Sequence, residues 1–429
     1  MFGFFASQEK KVRENAANWI ELADKVWHFR RDRLSQAEAA DLRGHTAEVR
    51  QQLAARADAA RLKLAIERLE AVLRRTGGAI YPKTSLVENV EFFLVAAIVI
   101  LGIRTYVVQP FKIPTNSMWP TYNGMTPEVY QSRAEEPGKL REAARLVAFG
   151  AWPHRLDAPA DGEVMIPVGG IESRGVVHSR IVPGKSWLVL PTQVREYTLM
   201  VGGEEVRVKL PLDFDFDWAV YDAFFGNGDR FTSRKLVNAI QRRIDTGQTE
   251  ICNIDGERVR CVRTGRRVRK GERMLAFDEM TGDQLLVDRV SYHFVQPEIG
   301  SGFVFRTGHI PDIARSYGDQ YYIKRLVGAP GDTLKVEGST LLRNGRPITG
   351  AKAFELNAGR VGNYPGYEAT GLLQSGESVT VGPDRFFAMG DNSPNSADGR
   401  VWGFVPEKDV VGRPLFVYYP FTKRWGPAR

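Results

Sequence analysis

The stretch PTNSMWPT, residues 114–121, follows the only long apolar segment of the chain. Its serine, Ser117, stands between two prolines, Pro114 and Pro120. Proline fixes its own φ and biases the preceding residue toward extended conformations, so we expect Thr115 to Ser117 to lie on a rigid, non-helical backbone. Such a backbone suits a hydroxyl that must point in one direction, and it equally suits a structural connector. Taken alone, the stretch favours the structural interpretation.

The preceding apolar segment predicts a membrane span. Residues 92–103 are uncharged, and Arg104 lies one turn from the expected end, where an arginine can reach the headgroups. We therefore expect a transmembrane helix at residues 89–109. Basic residues on its N-terminal side put residues 1–88 in the cytoplasm by the positive-inside rule, and the rest of the chain outside. A buried core helix is the alternative, because two glutamates flank the segment.

Composition limits the classes of protein. The chain has 429 residues, of which 43% are hydrophobic and 26% charged, which predicts two or three globular domains. Its net charge of +8 suits either nucleic acid or an anionic membrane surface. Since it lacks the aromatic signature of RNA-binding domains, we expect membrane lipid and no nucleic acid as a partner. Residues 1–5 are apolar but too few for a cleavable signal peptide.

Two helical runs precede the span. Apolar residues recur at three- and four-residue spacing through residues 8–76, with a break expected near Gly44 and an end at residues 77–78, which are both glycine. A two-helix hairpin or short coiled coil is the favoured interpretation. In the other interpretation, an aromatic face of the first run contacts the membrane interface. The residues of that face are Trp19, Trp27 and Phe29.

After the span the pattern changes to β. Residues 163–166, 187–190 and 205–210 alternate or are β-branched, with glycine and proline between them. Asn344-Gly345 predicts a tight hairpin turn. One helix is expected at residues 232–246.

Two features of residues 125–281, called the middle region below, leave alternatives open. The acidic-aromatic run at residues 213–218 is able to bind a cation, but such a run is more often a strand or loop with a solvated acidic face. Cys252 and Cys261 are spaced to close a hairpin around residues 255–256, Asp-Gly, so they form either a disulfide or two free thiols. A zinc site is not expected, because zinc needs about four ligands and no histidine pair is near.

Two later stretches hold polar groups. YYIKRLVGAPGD, residues 321–332, is an apolar strand with Lys324 inside it. Burial disfavours the charged amine, and a neutral lysine is a competent general base. An edge strand that points this lysine to solvent is the alternative. MGDNSPNSADGRVWG, residues 389–403, predicts a tightly ordered loop, because its short polar residues bond their own backbone. The candidates for ion pairs that hold this loop are Asp391, Asp398 and Arg400.

A serine nucleophile needs a base. The chain has six histidines, none in a recognised triad motif, and it has no Gly-x-Ser-x-Gly elbow. A Ser–Lys dyad needs only one buried lysine, which makes Ser117 and Lys324 candidates.

The order of these stretches resembles the motifs of bacterial type I signal peptidases (leader peptidases). That family has Pro-x-x-Ser-Met-x-Pro-Thr after a membrane anchor, then Gly-Asp-x-x-x-Val, Tyr-Ile-Lys-Arg-x-Val-Gly-x-Pro-Gly-Asp, and Gly-Asp-Asn-x-x-x-Ser-x-Asp-x-Arg-x-Trp-Gly. The corresponding stretches of this chain are residues 114–121, 282–287, 322–332 and 390–403. The resemblance implies a membrane-bound serine endopeptidase of the bacterial inner membrane, without metal or cofactor. It would remove signal peptides from secreted preproteins on the outer face.

Roles follow from the positions of the motifs. The resemblance makes Ser117 the nucleophile, Lys324 the general base and Ser396 the hydroxyl that bonds and orients the lysine. The oxyanion hole would combine the Ser117 backbone N–H with the hydroxyl of Thr115, where the family often has serine.

The same resemblance assigns a structural ion pair and the substrate pockets. The pair is Arg325 with Asp391. Shallow apolar pockets would admit only small side chains at the −1 and −3 positions of the substrate. An extended substrate would add as a strand beside the segments near residues 113 and 322. The pocket walls correspond to Phe111, Ile113, Met118, Val304, Tyr322 and Ile323.

The chain departs from the family pattern in two places. Ser117 and Lys324 are 207 residues apart, and the excess lies in residues 125–281, which we expect to be an inserted β-rich subdomain. The N-terminal helical arm is long and precedes one span, whereas well-known proteobacterial members have a short N-terminus and two spans. The expected fold is therefore mainly β, with the catalytic domain split into residues 110–124 and 282–429.

Two rival functions fit parts of this sequence. A self-cleaving repressor-type protease shares the dyad chemistry but needs a DNA-binding helix-turn-helix, which residues 1–85 do not contain. A non-catalytic envelope scaffold derived from a signal peptidase is the other rival, although the intact Ser117, Lys324 and Ser396 count against decay.

Overall fold

The computed structural model describes residues 8–169, 175–186 and 190–428. The predicted strand at residues 187–190 therefore falls largely outside the described residues, as do residues 1–5. The chain divides into two compact units at Leu101 and Gly102.

The described helices and strands follow the chain in a clear order, helical first and mainly β afterwards. The α-helices are α1 (Gln8–Arg30), α2 (Gln36–Ala54), α3 (Ala59–Thr76), α4 (Ser85–Tyr106), α5 (Lys139–Phe149), α6 (Phe216–Phe224), α7 (Ser233–Asp245), α8 (Pro311–Tyr317), α9 (Lys352–Ala358) and α10 (Gly399–Trp402). The strands are β1 (Val108–Lys112), β2 (Thr126–Tyr130), β3 (Ala151–Asp157), β4 (Gly162–Val168), β5 (Ser179–Ser186), β6 (Leu190–Val201), β7 (Glu204–Pro211), β8 (Thr249–Ile254), β9 (Glu257–Val268), β10 (Arg273–Met280), β11 (Gln284–Asp288), β12 (Gly302–Arg306), β13 (Tyr321–Gly328), β14 (Thr333–Glu337), β15 (Thr340–Arg343), β16 (Arg346–Pro347), β17 (Ser378–Thr380), β18 (Arg385–Met389), β19 (Phe404–Pro406), β20 (Val410–Tyr419) and β21 (Gly426–Pro427).

The N-terminal unit contains a bundle of three helices, so the predicted two-helix hairpin is wrong. α2 begins at a capping box in which Ser35 accepts from the Glu38 N–H, and α3 begins at Asp58, which caps the Arg61 N–H. Gly44 lies inside α2 on an exposed face, where a glycine costs only about 1 kcal/mol and does not end a helix.

The aromatic face of α1 packs in that bundle. Trp19 and Trp27 lie against the apolar core formed by α1, α2 and α3, while Phe29 is exposed. This arrangement favours the bundle interpretation over the membrane-interface one. α3 ends at Gly77, as the sequence predicts.

α4 is apolar around its whole circumference. It has 22 residues, none of them buried, so the buried-core alternative does not fit. At 1.5 Å per residue it is about 33 Å long, which matches the hydrocarbon core of a bilayer. The helix ends at Tyr106, three residues before the expected end at residue 109, because Val108 already belongs to β1.

The second unit is organised around an antiparallel sheet that joins early and late parts of the chain. Its order is β1-β11-β20-β12-β13-β18-β19, with β21 beside β20. Strand β1 precedes the middle region and pairs with β11, which follows it. A smaller sheet, β16-β15-β14-β17, holds the predicted turn at Asn344-Gly345, where both residues have positive φ.

The middle region leaves the sheet and returns to the same place. Asp283 donates its N–H to the Asn123 carbonyl at 2.8 Å and accepts from the Ile113 N–H at 2.8 Å. The first and last strands of the region, β2 and β10, pair with each other. The region contains two further sheets and an apolar core whose buried members lie between Met125 and Phe277.

Several local predictions for the middle region can be compared with the structure. Residues 163–166 and 205–210 lie in β4 and β7, and the predicted helix is α7. Helices α5 and α6 were missed. Cys252 and Cys261 are joined by a disulfide in the β8–β9 hairpin, which turns at residues 255–256.

The acidic-aromatic run does not have a solvated face throughout. Phe214 and Phe216 are buried in the core of the middle region, and α6 begins at Phe216. Because α6 begins at Phe216, the side chain of Asp217 is buried. Its carboxylate accepts hydrogen bonds from the backbone N–H groups of Val176 and Val177 at 2.8 and 3.1 Å. Among the described residues, no group of three or more His, Cys, Asp or Glu side chains is placed to hold a metal ion.

Candidate active site

Ser117 lies on a short turn directly after the sheet edge. Thr115 is extended, as predicted, with φ −111° and ψ 157°. Residues Asn116–Met118 form a 3-10 turn, so the expectation of a non-helical backbone through Ser117 is wrong. Fully buried Met118 anchors the turn, and the Trp119 N–H closes it on the Asn116 carbonyl.

The side chain of Asn116 fixes the turn through two hydrogen bonds. Its Oδ1 accepts from the Gly124 N–H at 3.0 Å, and its Nδ2 donates to the Met125 carbonyl at 2.7 Å. The serine is thereby tied to the point where the chain enters the middle region. No sequence pattern marked Asn116 for this role.

Lys324 lies within β13, opposite Phe303 of β12, and is 4% exposed. The alternative in which it points to solvent is therefore excluded. Its Nζ donates a hydrogen bond to Oγ of Ser117. Burial lowers the pKa of the Lys324 ammonium to about 8, an effect that Asp398 and Asp391 oppose by attraction.

Two buried ion pairs hold the loop at residues 389–403, one between the loop and β13 and one within the loop. Arg325 donates to both carboxylate oxygens of Asp391, at 2.7 and 2.6 Å. Arg400 does the same to Asp398, at 2.8 Å for both. The bidentate geometry fixes the backbone next to β13. Burial by itself would lower the pKa of Arg325, but the attraction of Asp391 and the hydrogen bonds to it outweigh burial and raise that pKa above its usual value.

The predicted hydrogen bond between Ser396 and Lys324 is not formed among the described residues. The Oγ of Ser396 is buried and has no hydrogen-bond partner there. It lies against Gly390, where an added Cβ would be 2.2 Å from this oxygen. The Lys324 amine donates to Ser117 instead, while Ser396 packs against Gly390.

The residues predicted to wall the substrate pockets mostly share one apolar cluster. Five of the six belong to or pack against it, and Tyr322 packs instead on the neighbouring cluster around Phe305. The five are Phe111, Ile113, Met118, Val304 and Ile323.

Two strand segments lie beside this cluster. β1 is the first strand of the sheet, and β13 pairs with β12 from Tyr321 and with β18 from Arg325 onwards. The rings of Phe111 and Tyr321 touch, with centroids 5.1 Å apart.

A separate cavity of about 320 Å³ adjoins the turn Asn116–Met118, which holds the predicted nucleophile Ser117 and is called the nucleophile turn below. Thr115, Asn116 and Trp119 form one wall, residues 213–218 of the middle region form another, and the loop at residues 392–395 closes it. No sequence pattern indicated that the middle region approaches the residues on either side of Ser117, because these contacts join residues far apart in the chain.

The arrangement of a buried serine and lysine on an antiparallel sheet corresponds to the class of serine peptidases that work without histidine. Comparisons with known proteins lead to one family within that class. Residues 268–419 match the model of the family described as "Signal peptidase, peptidase S26". The resemblance stated from the motifs is thus confirmed, and this part of the chain is similar to signal peptidases I. The matched residues include Lys324 and the loop at 389–403, whereas Ser117 precedes them.

Curated relatives agree with the family match. "Probable signal peptidase I-1" of Synechocystis sp. is 35% identical over 148 residues, which are 34% of this chain and 66% of the relative. "Signal peptidase I" of Leptolyngbya laminosa is 32% identical over 146 residues, 33% of this chain and 62% of the relative. The chain thus spans just under two thirds of the curated relatives it matches.

A solved structure gives a similar result at the level of sequence. The signal peptidase I of Enterococcus faecalis V583 is 26% identical and is aligned over 97% of its own length, but over 28% of this chain, with a TM-score of 0.22. The low TM-score means that the superposition supports no further conclusion.

Proposed function

We propose that this protein is a membrane-bound serine endopeptidase that removes N-terminal signal peptides from secreted preproteins. The observation that carries the proposal is the hydrogen bond between Lys324 Nζ and Ser117 Oγ in a buried site. Similarity to signal peptidases I supports the substrate class. The proposal includes the domain boundaries expected from the sequence, in which residues 125–281 are an insertion in the catalytic domain.

The reaction uses the neutral amine of Lys324 as the base. The amine takes the proton of the Ser117 hydroxyl as Oγ attacks the carbonyl carbon of the scissile bond. The oxyanion that forms would accept from the Ser117 N–H and from the Thr115 hydroxyl. The lysine then protonates the leaving amine, and a water molecule activated by the same lysine hydrolyses the acyl-enzyme.

Substrate selection would depend on the strand segments beside the serine. The residues before the scissile bond would lie between β1 and residues 321–324, with the −1 and −3 side chains facing the cluster around Ile113 and Val304. Because that cluster is apolar and closely packed, only small side chains would fit.

The membrane part of the proposal rests on α4. The helix would span the inner membrane once, with the helical arm in the cytoplasm and the catalytic unit on the outer face. A signal peptide held in the same bilayer would then present its cleavage site close to β1, which follows α4 after one residue.

Cleavage of a preprotein with an Ala-x-Ala processing site, in detergent, tests the proposal. The wild-type protein should release the signal peptide, and Ser117→Ala should not. Ser378→Ala, an exposed serine of β17, is the matched control and should cleave normally. If the wild-type protein binds the preprotein but does not cleave it, the non-catalytic scaffold is the better interpretation.

A further inference from the structure

The middle region reaches back to the nucleophile turn through Arg230. This residue lies between α6 and α7, in the part of the chain that the family resemblance does not cover. Its Nη2 donates to Oδ1 of Asn392 at 2.9 Å, and its guanidinium lies over the ring of Trp119 at 4.6 Å. Arg230 therefore contacts both the residue two positions after Ser117 and the loop that packs beneath it.

Asn392 passes this contact on to the serine. Its backbone N–H donates to the Ser117 carbonyl at 3.0 Å, and its Nδ2 donates to the Asn116 carbonyl at 2.9 Å. The amide can serve Asn116 only if Nδ2, and not Oδ1, points that way. Because Arg230 donates to Oδ1, it fixes the orientation of the amide.

The setting of Arg230 is costly for a residue with only a structural role. No carboxylate of the described residues forms an ion pair with it, and its Nε is buried without a partner. Burial alone lowers the pKa of the guanidinium, to about 10. An apolar side chain would pack on Trp119 without that desolvation cost, so the arginine needs another explanation.

Neighbouring contacts of the middle region reinforce the same link. The backbone N–H and the hydroxyl of Ser233 both donate to Oδ1 of Asn395, at 3.3 and 3.0 Å. The rings of Trp218 and Trp119 meet edge to face at 5.4 Å. The middle region thus holds the nucleophile turn and the loop at residues 392–395 together.

We propose that Arg230 is a positioning residue for the proposed peptidase reaction, acting through Asn392 to hold the backbone on both sides of Ser117 at the angle that attack requires. The inference rests on the proposed function. It assigns the middle region a role in catalysis that the motifs of the family do not contain.

The first test compares Arg230→Met with Arg263→Met. Arg263 belongs to the same region, but it pairs with Glu250 on an exposed surface and serves as the matched control. With an Ala-x-Ala preprotein in detergent, Arg230→Met should lower kcat roughly ten- to a hundredfold, since a small misplacement of the nucleophile has effects of that size. KM should stay within about twofold of the wild-type value, because the proposed substrate strands are untouched. Arg230→Lys keeps the charge over Trp119 and should recover part of kcat.

A double-mutant cycle tests the route through Asn392. If Arg230 acts through Asn392, the double variant Arg230→Met/Asn392→Ala should be no slower than Asn392→Ala alone. Additive losses would overturn the proposed route. An Arg230→Met enzyme with wild-type kcat, or one in which only KM or the thermal midpoint changes, would overturn the positioning role.

Hydrogen exchange gives a readout that does not need activity. The Asn392 amide, which donates to the Ser117 carbonyl, should exchange faster in Arg230→Met than in Arg263→Met. If the wild-type protein cleaves no preprotein, the proposed function fails, and this exchange still decides whether Arg230 holds the turn. Equal exchange in the two variants would reject the inference on its own.

Discussion

Nζ of Lys324, at the middle of strand β13, donates a hydrogen bond to Oγ of Ser117, which lies 207 residues earlier in the chain. Both side chains are almost fully buried, at 4% and 9% exposure. No carboxylate of the described residues forms an ion pair with Lys324, and burial is the largest influence on its protonation.

Peptidase activity should rise with pH through about 8. Burial lowers the pKa of Lys324 to about 8, and only the neutral amine can accept the serine proton. Below that pH, kcat/KM should therefore fall about tenfold for each pH unit. A profile from pH 6 to 9 measures the effect, with Ser378→Ala expected to follow the same curve. A flat profile would contradict a lysine base.

Lys324→Met should abolish cleavage and yet stabilise the fold at low pH. The pKa of Lys324 is lowered from 10.5 to about 8 on folding, so folding releases a proton between these two pH values, and below pH 8 the folded state must bury the charged ammonium. This cost is greatest below pH 8, at about 3 kcal/mol, and vanishes above pH 10.5.

Thermal unfolding at pH 6 and pH 10 measures that difference. The gain in midpoint from Lys324→Met should be larger at pH 6 than at pH 10. Lys335→Met, in which an exposed lysine paired with Glu337 is removed, should show no such gain. Equal midpoint shifts of Lys324→Met at the two pH values would argue against a desolvated amine.

Asp391→Ala should be one of the most destabilising single substitutions in the second unit. It leaves the Arg325 guanidinium buried at 3% side-chain exposure without its carboxylate. Removing one partner of such a pair costs about 3–5 kcal/mol. Asp312→Ala, which breaks the exposed pair with Arg315, should cost at most about 1 kcal/mol. Urea unfolding of the two variants compares them, and a similar loss for both would contradict the prediction.

The sequence located the candidate site because its chemistry sits in short contiguous stretches. Lys324 inside an apolar strand and the run of small polar residues at 389–403 are local patterns, and both lie where those patterns suggest. The direction of individual side chains was less predictable. Ser396 packs against Gly390 and its Oγ has no hydrogen-bond partner among the described residues, a side-chain direction that a sequence motif does not specify.

Contacts between distant segments could not be predicted where no motif describes them. Nothing near Arg230 in the sequence marks it as a partner of Asn392, because the contact depends on how the middle region folds back. Likewise, the acidic pattern of residues 213–218 indicated solvent exposure, and only the burial of Phe214 and Phe216 turned Asp217 inward. Tertiary packing overrode the local pattern in both places.

The disulfide between Cys252 and Cys261 offers a test of topology as well as of stability. It closes a short hairpin, with a sequence separation of 9, so its removal by Cys252→Ala/Cys261→Ala should cost about 2.5 kcal/mol by chain entropy. Such a bond persists only in an oxidising compartment, which matches the proposed outer location. Alkylation of denatured protein from cells should label neither thiol before reduction and both after it. Cys252→Ala leaves one thiol, which should react before reduction. Labelling of both wild-type thiols without reductant would contradict the bond and remove its support for an outer location.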